Sequence, residues 1–484
     1  MRISYPFISH HGAVQGVTGS CHQLHLNAHQ SLLVDCGLHQ GLEARLDAEL
    51  PTGLALTSVE ALLITHVHLD HVGRIPDLLA AGYRGPIFCS EPSAVLLPLV
   101  LEDAMKVRGG YEPEVVERYI RHVQKSIVPL RFSQWHDLII SDELICRVRL
   151  QRAGHILGSA YIEFDITYPS QAMNRRVVFS GDLGATPNPL LREPLAPSRA
   201  DILVLESTYG DRLHIDRSTR QQCLEQVIER ALIDQGTVLI PAFSIGRTQE
   251  LLFEIEDILH RKALKAKDMT GDAYEQSVDI VDWPHLPIIL DSPLASKFTQ
   301  AYRRLSHYWN EAAQQRLRER RDPLAFRQLI TIESHQQHQQ VVNYLKSTGR
   351  PAVVIAGNGM CSSGRIVNYL KAMLGDPRHE VVFTGYQAKG TPGSVIQASE
   401  GAEGFVKIDL DGEMYEIKSK VMTIGGYSAH ADQKGLVDFV MGMEELPESV
   451  ILVHGEERAK RSLASALALS YRSAKKELRC YLPS

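Results

Sequence analysis

The sequence predicts an α/β protein in which one α/β block interrupts another, and three observations carry that prediction. First, apolar runs of strand length repeatedly end in a glycine and a metal-binding side chain. Second, between about residues 209 and 395 helical stretches alternate with short, fully apolar strands, the signature of a mostly parallel sheet. Third, the strand-then-ligand pattern returns in the last part of the chain. The economical arrangement is a discontinuous first domain, residues 1–208 and 396–484, with residues 209–395 inserted as a second one.

The pattern is clearest at Ala61-Leu62-Leu63-Ile64-Thr65-His66-Val67-His68-Leu69-Asp70-His71. A buried strand ends there in four side chains of metal-ligand type, with Gly73 and a helical pattern beyond. Neutral imidazoles and a carboxylate are the donors that borderline divalent ions such as Zn²⁺ prefer. His66 and His68 lie two apart, so in an extended segment they point the same way. A tight turn after Leu69 can aim Asp70 and His71 at a second point nearby. One H-x-H-x-D-H run thus suggests two metals.

Composition excludes several classes. A chain of 484 residues with 44% hydrophobic and 22% charged residues suits a soluble enzyme of two or three domains. A net charge of −6 gives no global basic surface, so a nucleic acid would have to be met by a local basic channel. The seven cysteines are odd in number and form no C-x-x-C pair, which reads as reduced and cytoplasmic, without a disulfide framework or thiolate zinc site. The first residues lack the apolar core of a signal peptide, and no window reaches transmembrane length, so no membrane role is expected.

Taken in order, residues 22–36 read as a hairpin ending in Asp35 beside Gly37. His10, His11, His22, His25, His29 and His39 crowd this region without ligand spacing. Helical patterns follow at 74–81, 93–106 and 114–125, then strands at 145–150, 161–166 and 176–180. His155 sits between Gly154 and Gly158, Asp182 follows the strand Val177-Val178-Phe179, and Glu206 ends the run from Ile202. In the inserted block, strands are expected at 238–240, 288–290, 353–355 and 381–383, with Ser218 capping the first helix and Gly236 stopping it. Residues 266–286 read as a loop insertion, and Gln336–Gln340 as an exposed helix with no assigned role. From about 404 an alternating β pattern, through 405–408 and 414–424, leads to His430 and then to the strand Val450–Val453, which ends at His454.

With these residues collected, the chain resembles the metallo-β-lactamase superfamily and, within it, the β-CASP nucleases. The resemblance implies a four-layer αββα sandwich interrupted by an inserted β-CASP α/β domain. It places Asp35 in the first motif, His66, His68, Asp70 and His71 in the second, His155 in the third and Asp182 in the fourth. Glu206, His430 and His454 fit the three motifs that mark the β-CASP group. Histidine at the position of His454 resembles the RNA-processing members, such as the mRNA 3′-end cleavage subunit and its compact prokaryotic homologues.

The implied site has two Zn²⁺ per chain, one on His66, His68 and His155 and the other on Asp70, His71 and His454. Asp182 bridges them around an activated hydroxide. Asp35 is read as orienting a histidine ligand, and His430 as protonating the leaving 3′-oxygen with Glu206 holding its tautomer. Products would carry 5′-phosphate and 3′-hydroxyl. Ser362, Ser363, Gly364 and Arg365 offer hydroxyls, amides and a guanidinium to phosphates, Ser244 and Arg247 repeat the device, and Lys389 with Thr391 extends it. Single-stranded RNA running between the domains is the expected partner, and a homodimer is left open. A hydrolase of small esters or thioesters would explain the ligands but not Glu206, His430 or the inserted domain. A non-catalytic RNA-binding scaffold would not need all seven ligands. Endonuclease and 5′→3′ exonuclease are equally compatible with these residues.

Overall fold

The computed structural model describes residues 4–39, 50, 53–214, 217–268, 282–385, 387–402 and 404–483. They divide into two compact units, Met1–Leu213 with Ala429–Ser484, and His214–Ser428. Most of the expected loop insertion at 266–286 lies outside the described residues, as does Tyr386.

In the first unit a six-stranded sheet runs in the order β1 (Phe7–Gly12), β2 (Cys21–His25), β3 (Ser31–Val34), β4 (Val59–Leu63), β5 (Ile87–Ser90) and β6 (Ile127–Leu130). A seven-stranded sheet contains β7 (Trp135–Ile140), β8 (Ile145–Arg152), β9 (Ala160–Tyr168), β10 (Met173–Phe179) and β11 (Ile202–Glu206), then the strands Ser449–Val453 and Arg479–Tyr481. Side chains two apart along a strand share a face, and the core follows that rule. On β9, Ala160, Ile162, Phe164 and Ile166 meet Leu24, Leu32, Val34 and Leu63 of the other sheet. Tyr161, on the opposite face of β9, packs with Leu436, Phe439 and Leu463 of the helices Gln433–Met441 and Glu457–Ser473. The helix Glu91–Arg108 packs against β5 and β6. The architecture is therefore helix, sheet, sheet, helix.

Two registers bring the ligand-bearing strand ends together. β3 and β4 are parallel with Val34 opposite Leu63, so Asp35 and the residues after Leu63 leave the sheet side by side. β10, β11 and Ser449–Val453 are also mutually parallel, with Phe179 opposite Val204 and Glu206 opposite Val453. Asp182, Glu206 and His454 consequently emerge at the same edge.

The second unit is built on a wholly parallel six-stranded sheet of β12 (Thr237–Pro241), β13 (Ile288–Asp291), β14 (Leu329–Thr331), β15 (Ala352–Ala356), β16 (Glu380–Phe383) and a late strand. β17 (Val406–Leu410) and β18 (Glu413–Ile417) form a separate antiparallel pair. The late strand is β19 (Lys420–Thr423), and the sheet order is β14-β13-β15-β12-β16-β19.

Three expectations are corrected here. The second unit extends to Ser428 rather than 395, because β19 pairs with β16 and β17 with β18; a period of two reveals a strand but not which sheet receives it. The first helix of this unit, Arg220–Ile233, has Thr219 rather than Ser218 at its N-cap, and it ends before Gly236. The helix His335–Thr348 exposes Gln336, Gln337, Gln339 and Gln340 but buries His338 to 1% exposure.

His338 belongs to a network on Asp291, which is wholly buried at the end of β13. Asp291 Oδ2 accepts from His338 Nδ1 at 2.7 Å and from Tyr369 OH at 2.6 Å, while Arg365 Nη1 donates to Oδ1. Asp291→Asn removes the charge that pairs with Arg365 and one of the two oxygens that together accept from three donors. It is expected to destabilise this unit by about 3 kcal/mol. Urea denaturation in a Trp135→Phe background checks this, because the two remaining tryptophans, Trp283 and Trp309, are both buried in the second unit. An unchanged midpoint would refute it.

Candidate metal centre

All the candidate ligands lie in the first unit. After β4 the chain continues through Thr65, His66 and His68 into one helical turn, Leu69–Val72, which carries Asp70 and His71. His155 is brought in by the loop after β8. Gly154 bridges to Leu183, and Gly184 N–H donates to the Ala153 carbonyl at 2.7 Å. A Cβ on Gly184 would stand 2.1 Å from the Gly154 carbonyl oxygen, so this approach requires glycine. His430 is held from the other side by a bridge to Gly184.

Two sets of donor atoms result. His66 Nε2 and His155 Nε2 lie 3.0 and 3.1 Å from His68 Nδ1, and 3.4 and 3.5 Å from Asp182 Oδ2. His71 Nε2 lies 3.3 Å from His454 Nε2, 3.4 Å from Asp182 Oδ1 and 3.8 Å from Asp70 Oδ2, and Asp70 Oδ2 is 3.5 Å from His454 Nε2. Four donors about 2.0–2.1 Å from a tetrahedral zinc stand about 3.3 Å apart. Both sets have that spacing, and Asp182 presents one carboxylate oxygen to each. Asp182 Oδ1 is buried without a hydrogen bond of normal geometry, so the protein alone leaves it under-satisfied. The donor set fits a pair of divalent cations.

The electrostatics agree. Burial pushes His66 and His155 well below the ordinary histidine range and His68 down to about 4, so these rings are neutral and able to coordinate. Burial opposes the charged form of His71 and His454 too, but the carboxylates of Asp182 and Asp70, with Asp35 for His71, outweigh it and raise both. A cation entering that half displaces protons.

The neighbours orient the rings. Asp35 Oδ2 lies 2.7 Å from His71 Nδ1, and Asp35 accepts from Thr65 N–H and Thr65 Oγ1, both at 2.8 Å. Thr65 Oγ1 is also 3.2 Å from His66 Nδ1, and Thr208 Oγ1 is 3.1 Å from His454 Nδ1. Each contact leaves Nε2 turned to the centre. Asp35 and His454 adopt left-handed backbone conformations, φ 60° and 52°, held by hydrogen bonds from Asp35 N to Leu63 O and from His454 N to Ala13 O. Such local strain is concentrated at functional sites. Sequence reasoning missed Thr65 and Thr208, although each stands within two residues of a motif residue.

Beside the cluster, Glu206 Oε1 accepts from Leu183 N–H at 2.6 Å, and Oε2 lies 3.2 Å from His430 Nδ1. Burial would lower His430, but the Glu206 and Asp182 carboxylates overcome it and hold the ring up to about 9. Its side chain is 22% exposed against 2% for Asp182.

The second-unit candidates lie in the loops after β12, β15 and β16 or at the start of the helices that follow, and several are already engaged within that unit. Arg247 pairs with Glu250 at 2.7 Å, and Arg365 is held by Asp291 and the Ile332 carbonyl. Thr391 Oγ1 caps the helix Pro392–Ala398 by accepting from Ser394 N–H. Ser244 Oγ is 3.3 Å from Ser292 Oγ. Ser362, Ser363, Gly364 and Lys389 are exposed.

Comparison with known proteins agrees with the fold and with a metal site. Residues 25–241 match the metallo-β-lactamase superfamily, residues 248–396 the β-CASP domain, and residues 414–483 the Zn-dependent metallo-hydrolase RNA specificity domain. The chain is 37% identical over 462 residues to Ribonuclease TTHA0252 of Thermus thermophilus, covering 95% of each. It is 28% identical to Transcription termination factor FttA of Methanosarcina mazei and 30% identical to that of Pyrococcus abyssi, over 93% and 84% of this chain. It spans 66% and 59% of those two archaeal proteins. No helix among the described residues is long and apolar enough to cross a membrane. The chain belongs to the β-CASP RNA-processing nucleases of the metallo-β-lactamase superfamily, and it is a metal-dependent hydrolase.

Proposed function

We propose that the protein is a zinc-dependent ribonuclease that holds two Zn²⁺ and hydrolyses phosphodiester bonds of single-stranded RNA, leaving 5′-phosphate and 3′-hydroxyl ends. The observation that carries this reading is Asp182, whose two oxygens face two separate sets of donors. His66, His68 and His155 would hold one ion and Asp70, His71 and His454 the other. When bound, such a pair lowers the pKa of water and offsets charge developing on the phosphoryl oxygens. Asp35, Thr65 and Thr208 set the ring orientations on which both sets depend. Glu206 engages His430 through Nδ1, so a proton passed to the leaving 3′-oxygen comes from Nε2. The relative named a ribonuclease supports RNA as the substrate, because it matches this chain nearly end to end.

The test is zinc-supplemented digestion of one RNA carrying either a 5′-triphosphate or a 5′-monophosphate, beside a matched single-stranded DNA. Mononucleotides from monophosphorylated RNA alone identify a 5′→3′ exonuclease, and internal fragments regardless of the 5′ group identify an endonuclease. No cleavage of RNA by zinc-loaded protein refutes the proposal.

Thr208→Val keeps the shape and removes the hydroxyl at His454 Nδ1. It is expected to weaken zinc binding at the Asp70, His71 and His454 half by about ten-fold. Competition with a chromophoric chelator measures this, and unchanged affinity would refute the orienting role.

A further inference from the structure

β12 and β15 are adjacent and parallel in the middle of the second unit's sheet, yet the chain leaves them in opposite directions, toward β13 and toward β16. Right-handed crossovers in opposite directions put the two following helices on opposite faces of the sheet. Leu239 of β12 and Val354 of β15 accordingly pack with Ile366 and Leu370 of the helix Arg365–Met373, on one face only. In open parallel sheets such a divergence, just outside the carboxyl ends of the strands, is where ligands are held.

Phe243 stands at this point, two residues past β12, and it is 50% exposed. A single exposed aromatic residue is ordinary on a protein surface. This one is fixed in place. Its carbonyl accepts from Thr248 Oγ1 at 2.8 Å, and its ring lies against Gly359 of the loop after β15, where a Cβ would meet the ring at 3.3 Å. That opposite loop is itself pinned. Gln387 Nε2 donates to the Gly359 carbonyl at 2.9 Å, Asn358 Oδ1 accepts from Met360 N–H at 2.7 Å, and Arg365 at its end is tied to Asp291. The same two loops carry the hydroxyls of Ser244, Ser362 and Ser363. A ring held against the backbone of the opposite loop, half exposed and with polar groups on the flanking loops, suits a flat ligand with a polar rim.

We propose that Phe243 is a base-stacking residue for single-stranded RNA, with one nucleobase lying on its exposed face. The inference rests on the ribonuclease reading and adds a subsite to it. Every base has a π face, so the contact adds affinity with little sequence preference, and it removes apolar surface of Phe243 from water.

Anisotropy of a labelled, unstructured RNA oligonucleotide tests this, with a chelator present so that no strand is cut. Phe243→Ala is expected to weaken binding about ten-fold, and Phe243→Trp to restore it. An abasic oligonucleotide is expected to bind wild type and Phe243→Ala alike. Equal affinity of wild type and Phe243→Ala for base-bearing RNA overturns the stacking role and leaves the ribonuclease reading standing. So does a loss that persists with the abasic strand. Wild-type protein that neither binds RNA nor cleaves it when zinc-loaded overturns both.

Discussion

Asp182→Asn is expected to lower zinc occupancy and to slow RNA cleavage by roughly 10³-fold or more, about 4 kcal/mol of barrier. The reason is geometric. Its Oδ2 closes the set formed by His66, His68 and His155, and its Oδ1 faces His71 and His454. An amide keeps the shape but offers one oxygen instead of two and no charge. It therefore impairs both halves at once, whereas a substitution at Thr208 touches only one. The Asp182 carboxylate is also a principal reason that His71 and His454 stand above the ordinary histidine range in the absence of a cation. Removing it should lower both, so fewer protons are released per ion bound. Metal analysis after dialysis, calorimetry in two buffers of different ionisation enthalpy, and single-turnover cleavage measure the three effects. Full zinc occupancy with normal turnover would refute the bridging role.

His430→Ala separates proton transfer from metal binding. Zinc content is expected to stay near that of the wild type, while RNA cleavage falls by about 10²- to 10⁴-fold. The loss should shrink for a nitrophenyl phosphodiester, whose leaving group departs without being protonated. An equal loss on both substrates would mean that His430 does not act as the acid. Glu206→Gln provides the companion measurement. The Glu206 carboxylate raises His430, so the neutral amide lets its pKa fall. The acid form is then lost at lower pH, and the basic limb of the pH–rate profile moves down. A profile that does not move would remove Glu206 from this role.

The inserted block shows how far periodicity carries. Four of its strands, β12, β13, β15 and β16, lie within a residue or two of the apolar runs at 238–240, 288–290, 353–355 and 381–383, because a buried parallel strand is apolar on both faces. The alternating run at 414–424 was equally plain as β structure but carried no mark of its partner, and β19 joined the second unit's sheet. His338 lay hidden in a polar stretch because one buried position among exposed glutamines leaves little periodic trace. Arg247 and Arg365 have the composition of phosphate-binding residues, yet partners 3 and 74 positions away engage them.

What the sequence by itself determined is the set of donor types and the strand ends that present them, since both are written in local order: an apolar run, a glycine, a ligand. Which oxygen of Asp182 faces which histidines, which ring nitrogens Asp35, Thr65 and Thr208 engage, and how Glu206 reaches His430 were decided only by the tertiary structure. Among these contacts, Thr208 to His454 alone spans 246 positions, and parallel pairing of strands distant in the chain sets them. Such pairing depends on the register of whole sheets, which no short stretch of sequence encodes.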